Sequence, residues 1–181
     1  MQKVVRTSYF LFWSVRFLSF LLPLITAGYW ITGGYANIPL LSTALSASHE
    51  NIPFSMGSLS ELQKLLGFAV DCIPLTFSLI ALHTLSKLFH NFSRLAFFEK
   101  YNVCLLRRAG WALVLGQAVH PLYIAALSLT LTYCNPPGQR VLMVNFGTDQ
   151  CEVLIIGLGI LLTSWIFHEA VLLREEQEAV V

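Results

Sequence analysis

Four long apolar stretches leave this chain few ways to fold in water. They are "YFLFWSVRFLSFLLPLITAGYW" (about 9–30), "LGFAVDCIPLTFSLIALHTLSKLF" (about 66–89), a stretch of about 104–133, and "VLIIGLGILLTSWIFHEAVLL" (about 153–173). Each reaches the roughly 20 residues that a helix needs to cross a bilayer. Inside a bilayer every backbone N–H and C=O must be paired within its own segment, so each stretch is expected to be a helix. Composition agrees: 56% of the 181 residues are hydrophobic and only 12% are charged, about half the roughly 25% charge of a soluble domain. A net charge of +1 argues against direct binding of nucleic acid. The expected fold is one all-α membrane domain over 1–181 with four transmembrane helices. Lys3 and Arg6 give the first stretch the start of a signal peptide. Its apolar run exceeds an h-region of about 7–15 residues, so it is kept as a helix.

Basic residues orient such a bundle, because short cytoplasmic loops are rich in Lys and Arg. Lys3 and Arg6 precede the first stretch, and Lys87, Arg94, Lys100, Arg107 and Arg108 surround the link between the second and third. The other two links hold only Lys64 and Arg140. Both termini and the middle link are therefore expected in the cytoplasm. In the outer links, "GSLSELQKLL" (57–66) reads as a short surface helix capped by Ser58 or Ser60. "RVLMVNF" (140–146), after the turn signal "NPPG", reads as a short strand. Cys134 and Cys151 share that outer link, where the oxidising side of a membrane allows a disulfide; free thiols are the alternative. Cys72 and Cys104 read as packing residues.

Polar groups within the spans are costly and mark candidate sites. Arg16 either snorkels back to its own interface or acts in the span. Asp71 either meets water of the outer links or pairs with Arg16. Gln117 and His120, next to Pro121, either hydrate a cavity or hydrogen-bond between helices. His83, His90 and His168 show no metal-ligand spacing, and no nucleotide, hydrolase or dinucleotide fingerprint occurs. The residues therefore name no catalytic group, cofactor or metal, and the chain is not expected to be an enzyme.

Two segments at the cytoplasmic face, "FFEKYNVCLLRRAGW" (97–111) and "IFHEAVLLREEQEAVV" (166–181), hold the most distinctive pattern. Phe97 or Phe98, then Asn102, Leu106, Arg107 and Gly110 resemble the start of the third span in the DUF2975 family of small four-span bacterial membrane proteins. The tail resembles that family's at Phe167, Glu169, Leu173, Glu175, Glu176, Glu178 and Val181, and departs from it at Ala170, Ala179 and Val180. "LSKLFHNFSRLAFF" resembles the family's exit from the second span, with its usual glycine replaced near Leu95 and Ala96. The resemblance covers about 53–181 and implies a bacterial plasma membrane. It also implies, from regulators encoded beside relatives, a cytoplasmic partner of the helix-turn-helix type.

Arg107 and Arg108 begin the third span where Glu169, Glu175 and Glu176 leave the fourth. Either these charges pair, with Glu169 against Arg107 or Arg108, or they are topology markers beside a solvated acidic tail. The expected role is non-enzymatic: a regulatory or scaffolding component that docks a partner on these five residues. One alternative is a small transporter or channel subunit, working as a homo-oligomer along Arg16, Asp71, Gln117 and His120. A weaker one is a thiol oxidoreductase using Cys134 and Cys151, against which the lack of C-x-x-C spacing counts.

Overall fold

A computed structural model describes residues 2–32, 60–97, 99–136, 138 and 140–179. Among these lie four helices: α1 (Gln2–Thr32), α2 (Glu61–Ser93), α3 (Lys100–Thr132) and α4 (Thr148–Ala179). All four are long and apolar enough to cross a membrane. Pro23, Pro74 and Pro121 lie inside α1, α2 and α3, as membrane helices tolerate. The chain forms two compact units. The first comprises Met1–Leu21, Thr76–Ala118 and Gly147–Val181; the second comprises Leu22–Leu75 and Val119–Phe146. Among the described residues of α1 only Ser8 and Trp30 are buried, while Phe10, Trp13, Phe17 and Phe20 are exposed, as suits contact with lipid.

In the first unit α3 and α4 approach closely because glycine faces both ways. A Cβ on Gly110 would stand 2.8 Å from Leu161 Cγ and 3.2 Å from the Gly157 carbonyl. A Cβ on Gly157 would stand 3.0 Å from Val114 Cγ2. Between apolar helices in lipid, such small-residue contacts and buried hydroxyls replace the missing hydrophobic force. Fully buried Ser164 accordingly donates to the Val103 carbonyl at 3.3 Å.

The α2–α3 link folds around one side chain, Asn102, which is 2% exposed. Its Oδ1 accepts from Asn91 Nδ2 at 2.7 Å, and its Nδ2 donates to the carbonyls of Ala96 at 2.5 Å and Phe97 at 3.1 Å. The amide thus ties the end of α2, the link and the start of α3. Leu95 closes α2 with φ 62°, a left-handed conformation that glycine adopts freely and a leucine does not. The resemblance placed its missing glycine near this position, at Leu95 or Ala96.

In the second unit α2 starts with a reciprocal cap. Ser60 Oγ accepts from the Gln63 N–H at 3.3 Å, and Gln63 Oε1 accepts from the Ser60 N–H at 3.0 Å. Gln63 Nε2 also donates to the Leu131 carbonyl at 3.2 Å, satisfying the last turn of α3. Ser60 is therefore the cap, and Glu61–Leu66 are the first turns of α2 rather than a separate surface helix. Residues 57–59 of the expected segment lie outside the described residues. The core is Trp30, Tyr123, Ile124, Leu127 and Leu131, with Tyr29, Phe68, Val70 and Met143 packed against it.

Residues 140–146 form no strand, and no strand occurs among the described residues. The apolar residues that suggested one are held in another way. Met143 N–H donates to Ser128 Oγ at 3.0 Å, and Val141 N–H donates to Thr132 Oγ1 at 3.1 Å. Two residues of extended chain rise about as far as four of helix, roughly 6–7 Å, so hydroxyls at i and i+4 match backbone groups at j and j+2. The segment lies along α3, with Val141 and Met143 toward it and Leu142 and Val144 exposed. The turn before it is present, with Gly138 at φ 93°.

Two substitutions test the link. Asn102→Ala strands one amide and two carbonyls, and is expected to lower stability by about 2–4 kcal/mol. Leu95→Gly relieves the left-handed leucine and is expected to raise stability by up to about 1 kcal/mol, less the added freedom of the unfolded chain. Unfolding of detergent-solubilised protein, followed by circular dichroism, reads both.

Candidate functional site

Asp71 sits 7% exposed in the second unit, and aromatic donors take both its oxygens. Trp30 Nε1 donates to Oδ2 at 2.7 Å, and Tyr123 OH donates to Oδ1 at 2.8 Å. The placement of Trp30 depends on Gly67, one turn before Asp71 on α2. A Cβ there would meet three ring carbons of the indole, Trp30 Cζ2 at 2.8 Å. Gly67 and Asp71 thus form a notch and a hook: the notch receives the ring, and the hook holds its N–H. His120 stacks on the other end of this cluster, its ring 5.4 Å from that of Tyr123.

Arg16 and Asp71, weighed as a pair, belong to different units. Asp71 accepts from Trp30 and Tyr123, and Arg16 lies about four turns before Trp30 on the same helix. Arg16 is in the first unit, its guanidinium carbon 5.8 Å from the Phe12 ring centre, in a cleft shared with Lys87, His83 and His90. The four intramembrane polar residues divide between the units, Arg16 and half-buried Gln117 in the first, Asp71 and His120 in the second. Asp71, at least, is enclosed by neutral donors, an arrangement that locks helices together. Trp30, Tyr123 and Gly67 were not singled out from sequence. The available signal was a glycine four residues before the acid, opposite a Trp at the end of the first span.

The proposed pairing of Glu169 with Arg107 or Arg108 is absent, and helix register explains why. Leu161 lies over Gly110, Gly157 lies against Leu113 and Val114, and Ser164 meets Val103. In that antiparallel register Arg107 is level with Thr163, while Glu169 is level with Tyr101. The charges are out of step by about six residues, or roughly 9 Å. The ion pair that forms is Lys100–Glu175, at 2.8 Å. Both partners are about half exposed or more, so it contributes only about 0–1 kcal/mol. Arg107, Arg108, Glu169 and Glu176 are exposed. The two arginines stand at a groove of about 360 Å³ lined also by Phe77, Ile80, Cys104 and Trp111.

Cys104, Cys134 and Cys151 are exposed and Cys72 is half-buried; Cys134 belongs to the second unit and Cys151 to the first. A shared loop permits a bond without enforcing the Cβ separation of about 3.8 Å that one needs. Among the described residues no three His, Cys, Asp or Glu side chains group as a metal site.

If Asp71 fastens helices, its donors should matter to stability. Tyr123→Phe leaves a buried carboxylate short of one donor and is expected to cost about 1–3 kcal/mol. Gly67→Ala is expected to cost at least as much by displacing the indole. Melting temperatures of the purified variants decide this; unchanged values for both would remove the fastening role.

The chain was compared with known proteins. No curated protein and no solved structure matches it. The family described as "Protein of unknown function (DUF2975)" matches residues 13–181. That match includes the Asn102 knot, the Asp71 cluster and the α3–α4 contact alike, and the chain belongs to the DUF2975 family.

Proposed function

We propose that this protein is a non-enzymatic component of a bacterial plasma membrane, with both termini in the cytoplasm. It would hold a cytoplasmic regulator of the helix-turn-helix type at the free ends of α3 and α4. The Lys and Arg asymmetry supports the orientation. The observation that carries the docking role is the end of α4, which remains helical to Ala179 although Arg174, Glu175, Glu176 and Gln177 are all exposed. A helix end that is polar all round buries no face of its own and suits contact with something outside the bundle. The Lys100–Glu175 pair orients this end against α3. Neither Arg107 nor Arg108 forms an ion pair with an acid among the described residues, so their charge remains for a partner.

Charge reversal tests the reading. Glu175→Lys with Glu176→Lys is expected to weaken co-purification of the regulator encoded beside the gene by about tenfold or more in mild detergent. Undiminished binding would sink the acidic surface. Single-cysteine labelling from outside the cell, in a background lacking the native cysteines, should miss position 95; labelling there would overturn the orientation. A double-mutant cycle should give Lys100 and Glu175 a coupling of about 0.2–1 kcal/mol, and Arg107 and Glu169 none.

A further inference from the structure

The cleft between α1 and α2 in the first unit has cations without carboxylates. Its volume is about 480 Å³, and Arg16, Lys87, His83, His90, Ser86 and Phe12 line it. No acid lines it, so its fixed charge is +2 from Arg16 and Lys87. Neither cation forms an ion pair among the described residues, unlike Lys64, which pairs with Glu61, and Lys100, which pairs with Glu175. Phe12 organises the site. Its ring is 5.0 Å from the His90 ring and 5.8 Å from the Arg16 guanidinium carbon. A cation–π contact engages a guanidinium through its charge and leaves N–H donors at its edge. The buried Nδ1 of His90 has no hydrogen-bond partner.

Depth identifies the ligand chemistry. The 33 residues of α2 span about 50 Å, against a hydrocarbon core of about 30 Å. About 10 Å of helix therefore stands in the headgroup zone at each end. His83 and His90 lie roughly 15 Å and 5 Å from the end of α2, astride that boundary. At this depth a guanidinium and an ammonium without carboxylates call for an anionic oxygen, and the anion abundant there is a lipid phosphate. Arg suits a phosphodiester because its N–H fork grips two oxygens at once. Exposed Phe17 and Phe20 on α1 offer apolar surface for acyl chains.

We propose that this cleft binds the phosphate headgroup of one anionic phospholipid, with Arg16 and Lys87 as its cationic ligands and Phe12 holding Arg16 in place. The site needs the helices to cross a bilayer; it does not need the docking role, and its test contains no partner protein.

The full chain is reconstituted in nanodiscs of phosphatidylcholine with a minority of phosphatidylglycerol, roughly a tenth, then re-extracted into neutral detergent. Native mass spectrometry counts the retained lipid. Wild type is expected to keep about one phosphatidylglycerol in preference to phosphatidylcholine. Arg16→Gln and Lys87→Gln should each cut that retention about tenfold, the loss expected for one charge-assisted contact. Lys87→Arg should restore it, and Arg6→Gln, outside the cleft, should leave it intact. Melting temperature shows which variants fold; if Arg16→Gln does not, the Lys87 variants decide. Equal retention of the two lipids would overturn the proposal. So would an equal loss from Arg6→Gln, which would mean diffuse attraction to a basic end. Displacement of the lipid by millimolar inorganic phosphate would also overturn it, assigning the cleft to the free anion.

Discussion

A carboxylate buried among apolar helices needs hydrogen-bond donors, and in the second unit the packing follows from how Asp71 meets that demand. Unpaired, it would carry a penalty of several kcal/mol. Trp30 and Tyr123 bring two donors from two other helices, so satisfying one acid fixes three helices at once. Those donors must also lie flat enough to reach, which is why Gly67 has no side chain and the indole occupies its place. The same aromatic pair belongs to the apolar core, so polar satisfaction and packing are achieved by the same atoms. Gln63 repeats the device, capping α2 with its oxygen and closing the end of α3 with its nitrogen.

The helices were legible because apolar length is a one-dimensional signal: a run of about 20 apolar residues needs no partner to be recognised. Partners were harder. Asp71 stood out as a polar residue in a span, and water or Arg16 were the partners weighed for it, while the fold supplied neutral aromatic donors. The pairing of Glu169 with Arg107 failed for a related reason. Both residues lie near helix ends at one face, but charge specifies no register; of the glycines that do set it, Gly110 stood only as a motif letter and Gly157 was not singled out. Residues 140–146 show the converse. Their apolar, β-branched content suggested a strand, and the surface that holds them extended is a pair of hydroxyls on a helix rather than a neighbouring strand.

The family pattern gains a physical meaning from these contacts. Asn102 and Gly110 stood in the sequence as two matched letters eight apart. Asn102 closes the α2–α3 link by occupying an amide and two carbonyls, and Gly110 lets α4 approach to backbone distance. Arg107, between them, makes neither contact and remains exposed. The motif therefore mixes residues whose reason lies inside the chain with one whose reason does not. Leu95, near which the resemblance lacks its glycine, keeps the left-handed backbone all the same, so the fold of the link overrides the local preference of the residue.

Polar groups in this protein fall into two populations, and the division bears on function. Asp71, Asn102, Ser164 and Gln63 are buried and matched to protein partners; their chemistry is consumed in holding helices together. Arg16, Lys87, Arg107 and Arg108 carry full charge without an acidic partner among the described residues. A bundle that needed its cations for internal stability would have placed carboxylates beside them. Of the acids near the end of α4, Glu175 is engaged by Lys100. Lysines and arginines that merely mark topology need only lie in the correct loop. Arg16 lies well inside α1, where a charge is costly, and an aromatic ring holds it over a cleft that contains no acid. Retaining a cation at such depth and orientation is more than the positive-inside tendency asks of it, and no acid of the cleft answers its charge.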